Sequence, residues 1–175
     1  EKAELLTTRT VYGETAANAA NRNLRGRAYQ VCDGAGVVTN QAYDFQGNLL
    51  RSTRQLLVDY EGDVDWSENP ALEAEVFSVS SRFDAMNRVV QQIVSHTDRG
   101  AKRYDIIQPS YNQGNYLNSV NVWLDRTGEP LKSLDANTAS FQAVKQINYD
   151  AKGQRTSIEY GNGVHTQYEY DPMTF

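Results

Sequence analysis

A strand–turn unit that recurs along the chain is the feature that most constrains its fold. The clearest copy lies at residues 147–172, where the pairs Tyr149-Asp150 and Tyr170-Asp171 are 21 residues apart. Between the two pairs lie a predicted strand, a Gly-Asn-Gly turn at residues 161–163 and a second predicted strand. Internal periods of this length are typical of repeat proteins, in which each unit packs against its neighbours.

Six of the steps from an aromatic or apolar residue to aspartate are taken as markers of the repeat. The aspartates are Asp44, Asp84, Asp105, Asp125, Asp150 and Asp171. Their successive intervals are 40, 21, 20, 25 and 21 residues, so all but the 25 are close to one or two units of 20 to 21 residues. The spacing predicts a row of β-hairpins, each of which must stack on the next because a single hairpin buries too little surface.

The residues of the motif have predicted structural roles. An aspartate at a strand end accepts hydrogen bonds from backbone N–H groups two or three residues on, and the glycine three residues later adopts a left-handed conformation. The aromatic ring before the aspartate is expected to stack on the equivalent ring of the next unit, which predicts a tyrosine ladder. The predicted motif residues are Tyr43, Asp44, Gly47, Phe83, Asp84, Tyr104, Asp105, Asp125, Gly128, Tyr149, Asp150, Gly153, Tyr160, Gly161, Gly163, Tyr170 and Asp171.

Period-two alternation and turn signals predict an all-β fold of antiparallel hairpins that form a spiral or solenoid-like sheet. We expect one domain over residues 1–175, with an acidic loop inserted at about residues 60–75 and anchored to the sheet by Trp66. The predicted strands are residues 5–12, 28–32, 37–45, 49–58, 76–83, 89–96, 101–107, 118–124, 141–149, 156–160 and 164–171. A short helix or a helical turn is predicted at residues 15–21 with Thr15 as the N-cap, and a short helix is predicted after Asn69-Pro70. Residues 109–115 are predicted to be irregular.

Composition excludes several classes of protein. The net charge of −5 gives no basic surface for nucleic acid, and no apolar run is long enough for a transmembrane helix. Cys32 is the single cysteine, so neither an internal disulfide nor a multi-cysteine metal site can form. The 11 tyrosines against 5 phenylalanines favour a thin sheet with two partly solvated faces.

Candidate binding motifs are incomplete. Asp59, Glu61, Asp63 and Asp65 alternate as in a calcium loop, but Val64 stands where that loop has glycine, so a solvated acidic loop is the favoured interpretation. The glycines at residues 34–36 and 161–163 lack the third glycine of a dinucleotide site and are interpreted as hairpin turns.

Catalytic and metal-binding residues are not predicted either. His96 and His165 lie on strand patterns without cysteine or glutamate at ligand spacing, and they are interpreted as surface residues. The sequence has no nucleophile elbow, phosphate loop or zinc-protease motif. We therefore expect neither an enzyme, a cofactor nor a metal site, and we keep an enzyme fragment only as a remote alternative.

Several of these segments resemble the YD repeats of the Rhs family, in particular the B and C components of bacterial insecticidal toxin complexes. The resemblance covers most of residues 23–171, and the segments that carry it are residues 23–26, 43–49, 83–88, 149–155, 160–164 and 168–171. It implies a spiral β-sheet that winds, in full-length members, into a hollow shell around a C-terminal toxin or effector. It also implies a secreted or cell-surface location. The self-cleaving Asp-Pro-x-Gly signature of the family is incomplete here, because Thr174 follows Asp171-Pro172-Met173.

The resemblance also sets the expected partners. The chain lacks an initiator methionine and stops soon after a Tyr-Asp pair, so we expect a fragment of a longer protein. Its partners would be the remainder of that polypeptide and the toxin cargo, together with copies of itself paired through open sheet edges. The alternative function is a carbohydrate- or cell-surface-binding module, in which exposed Tyr and Trp rings stack on sugars.

Overall fold

A computed structural model of the chain describes residues 4–173, so Thr174 of the incomplete cleavage signature lies outside the described residues. All described strands form one antiparallel sheet of 11 strands, arranged in the order of the sequence. They are β1 (Arg9–Tyr12), β2 (Ala28–Asp33), β3 (Gly36–Tyr43), β4 (Leu49–Leu56), β5 (Phe77–Phe83), β6 (Val89–Asp98), β7 (Ala101–Tyr111), β8 (Leu117–Arg126), β9 (Phe141–Tyr149), β10 (Arg155–Tyr160) and β11 (His165–Gln167). The all-β antiparallel prediction is confirmed.

Because every strand pairs with the next one along the chain, the connections alternate between the two ends of the strands. We call one end the turn rim; it holds the connections β1–β2, β3–β4, β5–β6, β7–β8 and β9–β10. The other end, the loop rim, holds the connections β2–β3, β4–β5, β6–β7, β8–β9 and β10–β11. The turn rim therefore collects the short turns around the Asp motifs together with the long β1–β2 connection at residues 13–27, and the loop rim collects the other two long loops.

The long β4–β5 loop covers part of the sheet. Trp66 of this loop is 2% exposed and packs with Cys32 of β2 and with Leu57. Its indole Nε1 donates a hydrogen bond to the carbonyl of Asp33 at 3.2 Å. Trp66 thus anchors the acidic loop, as the sequence predicts.

The β8–β9 loop, residues 127–140, crosses the sheet as a strap. Leu134 of the strap donates its backbone N–H to the side chain of Gln91 at 3.0 Å, and Gln108 donates to the Leu134 carbonyl at 3.0 Å. Beneath the strap, Trp123 packs with Ile93 and Ile106 in a second buried cluster. A single sheet has no opposing layer, so these two loops supply the cover that lets it bury a core.

Of the two alternatives predicted for residues 15–21, the regular helix is wrong. A short 3₁₀ helix spans Gly13–Thr15, and turns follow it, with Asn18 and Asn23 in the left-handed region at φ 55° and 52°. Thr15 ends the 3₁₀ helix and so is not an N-cap. The segment has no apolar stripe, and without one a helix gains nothing by packing on the sheet.

The helix predicted after Asn69-Pro70 is also wrong. Asn69 has φ 51°, which is left-handed and incompatible with an N-cap, and Leu57 pairs with Leu72 in an isolated antiparallel bridge. The second short 3₁₀ helix of the described chain lies instead in the strap, at Ala136–Thr138, where the Asp135 side chain accepts a hydrogen bond from the backbone N–H of Asn137.

The largest differences from the predicted strand boundaries lie in three strands. Pro109 lies in β7, opposite Val120 of β8, and not in an irregular loop. The pairing of β7 with β6 ends at Ile107. Pro109 lies beyond that point, so its lack of a backbone N–H removes no hydrogen bond between these two strands. The strands predicted at residues 5–12 and 164–171 shorten to β1 and β11. No helix among residues 4–173 is long and apolar enough to cross a membrane.

Candidate functional site

Four turns at the turn rim have one geometry. In each, the backbone N–H of the first residue donates to the carbonyl four residues on, and the fourth residue donates its N–H back to the first carbonyl. The side-chain oxygen of the first residue also accepts from the backbone N–H four residues on, at 2.8–3.0 Å. The first residues are Asp44, Asp84, Asn112 and Asp150. These side chains fix the path of each turn, since they satisfy backbone N–H groups that the ladder leaves unpaired.

The fourth residue of each turn is left-handed. Gly47 and Gly153 have φ 101° and 81°, and the equivalent Asn87 and Asn115 have φ 61° and 66°. Glycine and asparagine are the residues that tolerate this conformation at low cost. The Asp-x-x-Gly pattern is therefore one form of a turn that also accepts asparagine at its first and fourth positions.

A tyrosine before the turn ties it to the preceding strand. The hydroxyl of Tyr149 donates to the carbonyl of Leu117 at 2.7 Å, and that of Tyr111 to the carbonyl of Val89 at 3.0 Å. Tyr43 makes the equivalent bond to Ala28 at 3.3 Å. In each case the acceptor is the first residue of the strand before. The hydroxyl thus links the two strands of each pair at their turn-rim end. Phe83, at the equivalent position before Asp84, has no hydroxyl and cannot form this bond.

The predicted ladder of equivalent tyrosine rings is wrong. The guanidinium groups of Arg27 and Arg88 lie over the rings of Tyr43 and Tyr111, at 4.8 and 4.5 Å from the ring centroids. The one stacked ring pair of the described residues, Tyr116 on Tyr149 at 4.8 Å between centroids, joins non-equivalent positions. The motif tyrosines are two strands apart, too far for direct stacking, so a residue of the intervening turn fills the gap.

Polar side chains also join successive turns directly. Asn48 donates to the side-chain oxygen of Asn87 at 2.7 Å, and Arg88 donates to that of Asn115 at 2.9 Å. The same Arg88 forms an ion pair with Asp84 at 2.6 Å. Hydrogen bonds from the Arg88 side chain and backbone hold the pKa of Asp84 below its usual range, and the Asn48 side chain does the same for the pKa of Asp44. We call this continuous set of contacts the turn ladder.

Other predicted motif residues lie elsewhere. Tyr104 and Asp105 lie inside β7, within the strand predicted at residues 101–107, so the turn-forming role that the motif assigned to Asp105 is wrong. Asp125 lies in the last part of β8, and Gly128 lies in the strap. Tyr170 and Asp171 follow β11, where Asp171 accepts a hydrogen bond from the N–H of Met173 at 2.7 Å.

The turn at residues 160–164 repeats the backbone pattern at the loop rim. Tyr160 donates its N–H to the Val164 carbonyl at 3.0 Å, and Gly163 is left-handed at φ 85°. Gly161 lies against β9, where a Cβ atom would come within 1.7 Å of the Gln142 carbonyl oxygen. Here glycine is needed for close approach of the backbone rather than for its φ angle.

Asn112 is the turn residue that the aspartate spacing missed. Asp105 fitted the 21-residue interval from Asp84 by coincidence, while the actual turn begins at Asn112 because β6 and β7, with 10 and 11 residues, are longer than the strands before them. The sequence does contain a signal for this turn, because Tyr111 precedes Asn112 and Gly114 follows two residues later. An amide oxygen accepts the same backbone hydrogen bonds as a carboxylate.

The sheet register gathers one group of metal-ligating side chains that the sequence did not suggest. His96, Asp105 and Asp125 come from three adjacent strands, and one ligand atom of each lies within 4.8 Å of the others. His96 Nε2 is 3.1 Å from an Asp125 carboxylate oxygen, and Nδ1 is 3.6 Å from one of Asp105. His96 is therefore not an isolated surface residue. His165, in contrast, is exposed on β11.

The acidic loop gathers no comparable group among the residues that the structure describes. The Asp65 carboxylate accepts hydrogen bonds from the hydroxyl and the backbone N–H of Ser67 at 2.7 and 2.9 Å, and from the N–H of Leu6 at 3.3 Å. The bonds from Ser67 hold the pKa of Asp65 below its usual range. Its carboxylate acts as a loop-forming acceptor.

A groove of about 520 Å³ lies between the strap and strands β4–β6. Two of its charged groups bind each other: Glu129 contacts Arg51 at 2.7 Å, and it also accepts a hydrogen bond from Ser80 at 2.6 Å. Burial raises the pKa of Glu129, but the bonds from Ser80 and Arg51 outweigh it and lower the pKa overall. Arg51, Ser80 and Glu129 thus satisfy one another within the wall, whereas the Nε of Arg82, also in the wall, is buried without a hydrogen-bond partner among the described residues. These groups do not converge on a shared point.

Comparison with known proteins gives one curated relative and several solved structures. No family model matches the chain. Toxin subunit YenC2 of Yersinia entomophaga is 26% identical over 178 residues, which is 97% of this chain and 16% of that protein. The chain thus spans a small part of the relative's length.

The solved structures agree with this relative. The crystal structure of TcdB2-TccC3 without its hypervariable C-terminal region matches 99% of this chain and 8% of its own, with a TM-score of 0.73 and 26% identity. The Tc holotoxin pore of Photorhabdus luminescens matches 99% of this chain and 7% of its own, with a TM-score of 0.71 and 26% identity. The chain is therefore similar, in sequence and in fold and over almost its whole length, to Rhs-like subunits of toxin complexes, which confirms the resemblance found in its Tyr-Asp motifs.

Proposed function

We propose that this chain is a non-catalytic wall segment of a toxin-complex shell. In the longer polypeptide the sheet would continue as a spiral around a C-terminal effector and enclose it. The observation that carries this proposal is the turn ladder, which joins successive hairpins along one rim of an uninterrupted 11-stranded sheet. A wall needs such contacts because each strand has only its two neighbours to hold it in place.

The distribution of buried residues supports a wall in place of a globular core. Of the described residues, 11 apolar side chains are buried, and the larger groups among them form two small clusters beneath loops. Most strand residues of β3 and β4 are half-buried. A sheet with water on both faces is what a thin shell between an interior and the exterior requires.

The proposed partners are the rest of the polypeptide and its cargo. Among residues 4–173, β1 and β11 each pair on one side only, so each has a row of backbone groups available to a further strand. Further hairpins of the same polypeptide would satisfy those groups. The relatives are toxin components, and for this chain we propose the same secreted or cell-surface setting.

Opening the wall in the full polypeptide tests the proposal. A Cβ atom on Gly36 would lie 2.0 Å from the Gln55 carbonyl oxygen of β4, whereas one on Gly34 would have no neighbour within 4 Å. We expect Gly36→Val to separate β3 from β4 and to expose the C-terminal effector to added protease. The matched variant Gly34→Val keeps it protected.

An effector that is digested as quickly in the wild-type polypeptide as in Gly36→Val contradicts enclosure. If Gly36→Val fails to fold, electron microscopy of the wild-type polypeptide decides the question. A wall that does not pass through these 11 strands excludes the proposal.

A carbohydrate-binding module is the second candidate. Phe45 and Tyr60 are 86% and 77% exposed, as rings that stack on sugars must be. They lie on opposite rims, however, so they do not form one platform. A glycan array would show binding that Phe45→Ala or Tyr60→Ala removes if this function holds, and no binding if the chain only forms a wall.

A further inference from the structure

His96, Asp105 and Asp125 meet at the loop rim because of a bulge between β7 and β8. In the β6–β7 ladder His96 is opposite Arg103, so Asp105, two residues on, lies on the same face of the sheet. The β7–β8 register shifts between Tyr104 and Ile106, which leaves Asp125 as an extra residue beside Asp105.

The backbone then fixes both carboxylates. Asp125 is left-handed at φ 53° and donates its N–H to one carboxylate oxygen of Asp105 at 2.9 Å. The other Asp105 oxygen faces His96 Nδ1 at 3.6 Å. His96 lies between the two aspartates, and its Nε2 is 3.1 Å from a carboxylate oxygen of Asp125.

The charge at this position favours a cation. Neither Asp105 nor Asp125 forms an ion pair with a lysine or arginine among the described residues, so two negative charges share only one imidazole. Asp125 is largely exposed, with 69% of its side chain accessible, and this side of the cluster is open to solvent. A divalent ion would neutralise both carboxylates, and water could complete its coordination.

We propose that His96, Asp105 and Asp125 form a surface site for a divalent transition-metal ion of the zinc type. One imidazole nitrogen and two carboxylate oxygens suit zinc better than calcium, which takes six to eight oxygen ligands. Ligand atoms around tetrahedral zinc are about 3.3 Å apart, given bonds of about 2.0 Å. The ligand atoms of the three side chains lie within 4.8 Å of one another, so both carboxylates would have to close on one imidazole nitrogen to reach this geometry.

A metal at this site would join β6, β7 and β8 at the end of the sheet that the turn ladder does not reach. It would therefore stabilise the folded chain by an amount that rises with the logarithm of the metal concentration once that exceeds Kd. This effect provides a second measurement besides binding itself.

Titration calorimetry of the metal-free 175-residue chain with ZnCl₂ tests the proposal, because the chain contains its own matched control. His96 and His165 are its two histidines. We expect one zinc ion per chain for the wild type and for His165→Ala, and a loss of affinity of at least tenfold for His96→Ala and for Asp105→Asn. Calcium chloride should give no heat at the same site.

Thermal unfolding with and without ZnCl₂ completes the test. Zinc should raise the Tm of the wild type and of His165→Ala but leave that of His96→Ala unchanged. The proposal is overturned if the wild type binds no zinc, or if His165→Ala weakens binding as much as His96→Ala.

Discussion

A single phenolic hydroxyl distinguishes tyrosine from phenylalanine before the turns of the turn rim. Removing the hydroxyl of Tyr149 by Tyr149→Phe deletes the 2.7 Å bond to Leu117 but keeps the stack on Tyr116. We expect a loss of about 1 kcal/mol in the free energy of unfolding, measured by urea denaturation. Tyr60→Phe is the control, because Tyr60 is 77% exposed. An equal loss in both variants would contradict a role for the hydroxyl bond.

The carboxylate of Asp84 makes the stability of its turn depend on pH. Its pKa is lowered in the folded chain by the Arg88 side chain and backbone, from an ordinary value of 3.8. The stabilisation is therefore present above pH 3.8 and is lost as the pH falls through the lower, folded-state pKa. Asp84→Asn should keep the amide acceptor that Asn112 uses naturally, but it removes the ion pair with Arg88.

We accordingly expect Asp84→Asn to unfold at a lower urea concentration than the wild type at pH 7. The difference should shrink at a pH below the folded-state pKa, where Asp84 is protonated. Asp98→Asn is the matched control, since Asp98 lies at a hairpin end without a described side-chain hydrogen bond. A difference between wild type and Asp84→Asn that stays constant with pH would show that the ion pair contributes nothing.

Strands that end at a recognisable turn residue could be predicted from the sequence. The strand predicted at residues 141–149 coincides with β9, since a turn residue follows it directly. At the candidate site, the roles of Asp44, Asp84 and Asp150 follow from the chemistry of an acceptor beside unpaired N–H groups.

Other elements depend on distant contacts that no local pattern encodes. The path of the strap is set by Gln91 and Gln108, which lie more than 20 residues away in the sequence. The cluster of His96, Asp105 and Asp125 requires the register of three strands and a bulge in one of them. Strand alternation predicts which face a residue occupies, but it does not predict where a register shifts.

The acidic loop is held on the sheet by the contacts of Trp66. Trp66→Ala would empty the cluster formed with Cys32 and Leu57 and leave the Asp33 carbonyl without its indole donor. Truncating a buried tryptophan costs about 3–5 kcal/mol, which urea unfolding would measure. Limited proteolysis should then cut within residues 60–75 before the rest of the chain. Trp66→Phe, which keeps most of the apolar contact, should lose less, and equal losses in both variants would contradict packing as the cause.

The whole molecule is one row of strands, in which each strand contacts its sequence neighbours. A chain of this kind is stabilised by nearest-neighbour interfaces, and its end strands are the weakest and the most exposed members. The same property suits it to assembly, because an end strand of one chain offers the pairing groups that another strand needs.

Self-association of the isolated chain follows from these open ends. The N–H of Tyr168 donates to the Thr156 carbonyl of β10, and alternation along an antiparallel strand then points the N–H of Gln167 outward. Static light scattering should give a mass that rises with concentration for the wild type and rises less for Gln167→Pro, which removes an outward donor. Thr166→Pro is the matched control, since it removes an inward donor and should lower the Tm. A monodisperse wild-type monomer over a wide concentration range would exclude pairing through the end strands, because their free backbone groups are the proposed cause of association.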